Sequence, residues 1–199
     1  ENTSLSGNQI LLHGKNIIGL LFYVSNGTSL LPARIANNYI IGGQGANSQA
    51  LQIHTCNFVH VYHNTIRISG GNNTGINIVR HNGGNVHFLN NILDNLANGK
   101  TMQFNGSNTP LTTNYNTHYT EGTNLINYLG TNYTSLAAWQ ATGRDVNSQH
   151  VEPSYEPEDP LGYAIDNAEM NGSATPGTNT PVDIEGMPRD TSMPDIGCD

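Results

Sequence analysis

Two sets of side chains recur along the first two thirds of this chain at a shared interval near 26 residues. Leu20, Leu51, Ile76 and Met102 follow one another at 31, 25 and 26 residues, and Phe22, Ile53, Ile78 and Phe104 keep step with them. Asn38, Asn64, Asn91 and Asn116 recur at 26, 27 and 25, with Ile35, Val61, Phe88 and Thr113 three residues before each. Around the first set, residues 19–22, 50–53, 75–78 and 101–104 alternate apolar with polar, save at Leu21. That alternation is the period of a strand buried on one face. Two strand patterns sharing one period imply one coil per repeat. The chain then returns about one strand spacing, roughly 4.8 Å, further up an axis.

In such a coil the apolar columns become continuous stacks, each buried Leu, Ile or Phe contributing about 1.5–3 kcal/mol. The column Asn38, Asn64, Asn91 and Asn116 reads as a structural amide ladder, each side chain bonding up and down the axis. Gln52, Asn77 and Gln103 form a second, outward column, either another ladder or a row that meets sugar hydroxyls. The 31-residue interval predicts an extra loop near Gly42-Gly43-Gln44-Gly45. A β-sandwich has no reason to repeat side-chain identity at this period, and the Leu pattern of leucine-rich repeats is absent.

Composition agrees. Charged residues are 11% and hydrophobic residues 36%, with 22 glycines, and Asn, Thr and Gly are poor helix formers. No apolar run of about 18 residues occurs, so no membrane span is expected. Residues 1–120 hold five basic and two acidic side chains, net +3, while residues 121–199 hold two against thirteen, net −11. The acidic part would repel phosphates, which argues against a nucleic-acid partner. Glu1-Asn2-Thr3-Ser4 lacks the charged and apolar regions of a signal peptide. Gln9-Ile10-Leu11-Leu12 already reads as part of a coil, so preceding coils are expected. With two cysteines and no CxxC, zinc and redox readings lack support. Cys56 reads as a buried free thiol, and a Cys56–Cys198 disulfide is the alternative.

The repeat fades after Tyr119. Residues 135–141 read as a short helix, capped by Ser135 and stopped by Gly143. Its Leu136 and Trp139 share a face that lids the coil, Trp139 as a packing residue rather than a sugar platform. Residues 152–199 are rich in Pro, Gly, Asp and Glu and should drape along the coil as loops, their acids solvated or forming turns. The organisation expected is thus all-β: four to five coils over residues 1–134, then a short helix and an acidic, mostly irregular tail over 135–199.

Function is sought at outward positions. Arg34, His60 and His87 each precede an apolar strand residue and should stack on one face. Arg67 and Arg80 lie near later turns, with His54, His63 and His81 close by. A basic, imidazole-rich stripe suits an acidic glycan through charge-assisted hydrogen bonds. The stacked imidazoles should resist protonation, leaving neutral hydrogen-bonding groups or a base for β-elimination. The plainer alternative is an ordinary solvated face. His60 and His87 lack an evident third ligand, so no metal site is assigned.

The Val61-x-x-Asn64-Thr65-Ile66 type of repeat resembles right-handed parallel β-helix proteins of the pectate-lyase-like superfamily. Residues 113–119, Ser135-Leu136-x-x-Trp139-Gln140-x-x-Gly143-Arg144-Asp145-x-Asn147-Ser148, Asp183-Ile184-x-Gly186-x-Pro188-Arg189 and Pro194-Asp195-Ile196-Gly197 are similar to the closing segment of many secreted bacterial members. The resemblance implies a right-handed coil, secretion or a cell-surface place, and polysaccharide chemistry along a groove. It implies lyases with a Lys or Arg base, often with Ca²⁺, or hydrolases with clustered Asp. The coil departs from both. Asp94 is its one interior acid, short of the oxygen ligands of Ca²⁺ and of the two carboxyl groups of glycoside hydrolysis. Two expectations remain: a polysaccharide-active or polysaccharide-binding protein, lyase-like on acidic glycans, or a non-catalytic adhesive or structural module.

Overall fold

The computed structural model describes residues 3–45, 47–68, 74–81, 85–105, 111–155 and 167–198, with the backbone alone at 44, 75 and 77–81. Each rung of the coil supplies three strands. The first holds β1 (Ser4–Ser6), β2 (Gln9–Lys15) and β3 (Ile18–Tyr23). The second holds β4 (Ala33–Ala36), β5 (Tyr39–Gln44) and β6 (Gln49–Cys56). The third holds β7 (Val59–Tyr62), β8 (Thr65–Ile68) and β9 (Thr74–His81). Next come β10 (Val86–Leu89), β11 (Ile92–Asn95) and β12 (Lys100–Phe104), then β13 (Leu111–Asn114), β14 (Thr117–Thr120) and β15 (Ile126–Tyr128). Like strands stack into three sheets, ordered β1-β4-β7-β10-β13, β2-β5-β8-β11-β14 and β3-β6-β9-β12-β15, called here A, B and C. All these neighbours are parallel. The chain is therefore an all-β parallel β-helix of about four turns.

The register follows the repeat. Leu20, Leu51, Ile76 and Met102 lie on one another, and Ile126 extends their column one strand beyond the point where the sequence pattern fades. Leu5, Ile35, Val61, Phe88 and Thr113 form the column in sheet A. Leu51, Ile53, Ile35, Val61, Ile76, Phe88 and Met102 are fully buried, which places the apolar core on the coil axis.

The amide ladder sits at the corner from sheet A to sheet B. Asn38 Nδ2 donates to Asn64 Oδ1 (2.9 Å), Asn64 to Asn91 (2.9 Å) and Asn91 to Asn116 (3.0 Å). Each oxygen also accepts the backbone N–H of the asparagine one rung earlier. Asn8 adds an earlier member, donating to Asn38 Oδ1 at 2.9 Å. The residue before each of the last four members, Asn37, His63, Asn90 and Tyr115, takes φ of 52, 50, 63 and 55°. A non-glycine residue there costs of order 1 kcal/mol or more, which the ladder bonds offset.

The expected loop at Gly42–Gly45 is corrected. Gly42 and Gly43 lie inside β5, and a Cβ on Gly42 would collide with the Leu12 carbonyl of the rung below. The extra length instead sits between β3 and β4. Thirteen residues separate Phe22 from Ile35 against eight from Ile53 to Val61, whereas the stretch holding the glycines, Asn38 to Leu51, exceeds Asn64 to Ile76 by one. Nothing in a backbone turn requires Gly at an insertion, whereas a tight approach between rungs does.

The far end is closed. β16 (Thr131–Tyr133) turns back antiparallel on β15, and α1 (Leu136–Gln140) follows, with Ser135 Oγ accepting from Ala138 N–H at 3.2 Å. Leu136 and Trp139 are buried as the sequence predicts, Trp139 completely. Asp145 then ends the ladder. Its Oδ1 accepts from Asn116 Nδ2 (3.0 Å) and from the Ser148 hydroxyl, and its Oδ2 from Trp139 Nε1 (2.6 Å) and Thr113 Oγ1 (2.7 Å). Burial pushes this carboxyl up, but the His118 ring at 3.5 Å and the Ser148 and Asn116 hydrogen bonds outweigh it and hold the acid well below the usual range.

The tail runs over the coil. Thr175 and Asn90 exchange bonds of 2.8 and 2.9 Å, Asn37 Nδ2 donates to Val182 O, and Gly197 N–H donates to Asn90 O. Met170, Ala174 and Ile196 cover Ile92 on the outside of sheet B. Asp183 and Asp190 each accept backbone N–H groups two to four residues on, the turn role expected for tail acids. Cys56 and Cys198 are both buried free thiols.

Candidate functional site

Outward positions one rung apart face each other across a strand spacing, so side chains of one kind must stack. On sheet A the column runs Arg34, His60, His87 and Thr112. The rings of His60 and His87 lie 4.5 Å apart and 15° from parallel. Burial lowers the His60 pKa to about 4, helped by His87 and Arg34, and burial lowers His87 too. At neutral pH the pair is two uncharged imidazoles, with the Tyr62 hydroxyl 3.3 Å from His87 Nδ1.

The third member is engaged elsewhere. Arg34 donates to Thr178 O (2.8 Å), Asn179 O (2.9 Å) and Thr180 Oγ1 (3.0 Å) of the tail. These partners lie some 145 residues away, beyond any local sequence signal.

The other sequence candidates fall on other faces. Arg67 is on sheet B, where its Nε lies 3.3 Å from Asp94 Oδ2 and its guanidinium 4.3 Å from the centre of the Tyr155 ring. Tyr155 donates to the same Asp94 oxygen at 3.0 Å. Burial raises Asp94 to about 6 against the lowering by Tyr155 and Arg67, and its Oδ1 has no hydrogen-bond partner among the described residues. Tyr155 is a site residue that sequence reasoning missed. His63 is buried at the A–B corner. Its Nδ1 lies 3.2 Å from Asp195 O, and its Nε2 lies 3.0 Å from both Thr178 Oγ1 and Asn90 Nδ2. These partners assign the proton to Nδ1. Burial, then Arg189, lowers its pKa to about 3. It lines a tail cleft of about 380 Å³ with Thr178, Arg189 and Asp190.

Sheet C carries His54. Its ring lies 4.9 Å from Tyr23, and its Nδ1 lies 2.7 Å from Thr55 Oγ1. Arg80 lies opposite His54 and His81 opposite Cys56 in the backbone register, but both side chains lie outside the described residues. Beside them, in the backbone register, runs the column Leu21, Gln52, Asn77, Gln103 and Asn127. Leu21 and Tyr23 are more than half exposed, and Gln52, His54, Gln103 and Asn127 are partly exposed. The side chain of Asn77 lies outside the described residues. The structure therefore gathers Arg34, His60 and His87, and sets Arg67, His54 and Arg80 on two other faces.

Among the described residues no three His, Cys, Asp or Glu side chains converge as a metal site requires, and no helix is long and apolar enough to cross a membrane. Comparisons with known protein families, curated proteins and solved structures return no match.

Proposed function

We propose that this chain is a secreted or cell-surface β-helix protein of the pectate-lyase-like kind that binds a polysaccharide along the outer face of sheet C. One observation carries the reading: partly exposed amides of one register column, Gln52 and, two and three rungs on, Gln103 and Asn127, run beside the Tyr23–His54 ring pair. Amides offer both a donor and an acceptor to sugar hydroxyls, and ring faces suit the apolar side of a sugar. The guanidinium groups of Arg34 and Arg67 are engaged by protein groups, which favours binding over elimination by an arginine base.

Glycan arrays spanning neutral and uronate polysaccharides test this. Binding is expected, weakened about tenfold or more by Gln52→Ala with Gln103→Ala, each lost hydrogen bond costing about 1 kcal/mol. Binding unchanged in that variant removes sheet C, and an array without any bound glycan leaves a structural or adhesive module instead. A lyase acting on acidic glycans is the second reading, favoured by His60 and His87 being held neutral and so able to accept a proton. Ultraviolet-absorbing unsaturated products would establish it.

A further inference from the structure

The left-handed residues at the A–B corner do more than turn the chain. Asn37, His63 and Asn90 lie one rung apart, and each side chain bonds the tail. Asn37 Nδ2 donates to Val182 O, and its Oδ1 accepts from Arg189 at 3.1 Å. Thr175 engages the Asn90 amide at both ends: Asn90 Oδ1 accepts the Thr175 N–H at 2.9 Å, and Asn90 Nδ2 donates to Thr175 O at 2.8 Å. Between the two asparagines His63 is buried, with Asp195 O at its Nδ1 and Thr178 Oγ1 at its Nε2. Of these three side chains only the imidazole gains a charge in mild acid.

Its surroundings leave no place for a second proton. The Nδ1–H is committed to Asp195 O. Nε2 accepts from Thr178 Oγ1 and from the other hydrogen of Asn90 Nδ2, both at 3.0 Å. A proton on Nε2 would point at that Nδ2, donor against donor. Turning the Asn90 amide to offer its oxygen would undo both bonds to Thr175. The charges around the ring oppose the proton as well: Arg189 of the tail and Arg34 of β4 both disfavour an imidazolium. The neighbouring acids are turned to backbone groups. Asp190 shares the cleft wall, but its Oδ1 accepts the Ser192 and Met193 N–H groups, and Asp195 Oδ1 accepts the Gly172 N–H at 2.6 Å.

We infer that the His63–Asn90 contact is an acid-sensitive lock on the tail: a proton on His63 Nε2 releases residues 175–198 from the corner and bares Arg34. Release takes Thr178 O, Asn179 O and Thr180 Oγ1 away from the Arg34 guanidinium, which then stands uncovered on the face of His60 and His87. Held on the coil, the imidazole has a pKa of about 3, and freed into water it returns to about 6.5. The closed tail is therefore fully favoured above about pH 6.5, and opening gains about tenfold per pH unit as the pH falls from there towards 3. Between pH 7 and pH 4 the gain is about 200-fold.

Amide hydrogen exchange of the whole protein, corrected for the intrinsic rate at each pH, tests this at three tail N–H groups that bond the coil: Thr175 to Asn90 Oδ1, Gly197 to Asn90 O and Cys198 to Thr65 Oγ1. Their opening constant should rise by about a hundredfold or more from pH 7 to pH 4, while the amides of β7–β12 stay protected. His63→Asn, which repeats the residue on either side in the column, should remove most of that rise. His63→Gln is a second variant that does not titrate, and circular dichroism checks the coil in both. Should neither variant fold, an NMR titration of His63 in the wild type decides, because its midpoint must coincide with tail opening. A flat opening constant from pH 7 to pH 4, the same rise in a folded variant, or a His63 midpoint apart from the opening transition would overturn the inference.

Discussion

The buried asparagine column and the outward arginine–histidine column ride on the same rungs, four residues apart, yet they differ in kind. In the first, each interior side chain bonds its counterpart one rung away, so the repeat itself supplies the partners of the interior amides. In the second, repetition gives only stacking. His60 meets His87, while Arg34 departs to the tail. Inside a coil, periodicity dictates chemistry, because a buried amide has nowhere else to turn. Outside, a longer side chain takes whatever oxygen comes within reach.

The comparison is broken most severely at the ladder's terminus. Asp145→Ala would leave Trp139 Nε1 and Thr113 Oγ1 buried without their acceptor and would take one acceptor from Asn116 Nδ2, and should cost about 3–5 kcal/mol in urea unfolding. The acid-side stability of the wild type depends on the same group. A carboxyl held low in the folded state stabilises above its unfolded pKa, near 4, and that contribution is lost as pH falls further. The variant should show a flatter acid limb. Asn91→Ala comes next, at about 2 kcal/mol, since it removes the acceptor of the Asn64 backbone N–H, one of the acceptors of Asn64 Nδ2 and one of the two donors to Asn116 Oδ1.

Asp94 should behave oppositely to Asp145. Raised to about 6 by burial, it contributes stability that is complete below its unfolded pKa near 4 and is lost as pH rises through 6. Asp94→Asn should therefore remove a fall in stability of the order of 2 kcal/mol between pH 4 and 7. Substitutions in the outward column should be the mildest. His60→Ala should change stability by about 1 kcal/mol or less, and an NMR titration should place the His60 midpoint near 4. A midpoint near 6.5, the ordinary value, would show that the imidazole is not held by its burial and its neighbours.

These differences also explain what could be read from the chain alone. The strand columns, the ladder, the Ser135-capped helix and the packing role of Trp139 were legible because each is fixed by local alternation, a cap or a repeat interval. The ladder's first member, Asn8, was missed although it lies 30 residues before Asn38, because the insertion between β3 and β4 blurs the period there. The tail contacts were not legible in detail. Tyr155 reaches Asp94 across 61 residues, and Thr178 reaches Arg34 across 144, with no period linking the partners. Arg34, His60 and His87 were placed on one face correctly by spacing, but spacing does not reveal which oxygen a guanidinium will choose.

The central claim is the register itself, with His87 directly beside Thr112. Oxidative cross-linking of H87C with T112C, with Cys56 and Cys198 replaced, tests it most directly, because neighbouring strands lie roughly 4.8 Å apart, within the Cα range a disulfide spans. A rapid intramolecular bond in that pair, and none when position 112 is restored and Leu111 or Thr113 carries the cysteine, is the outcome required. Equal bonding at all three positions, or none at 112, would contradict the stacked coil.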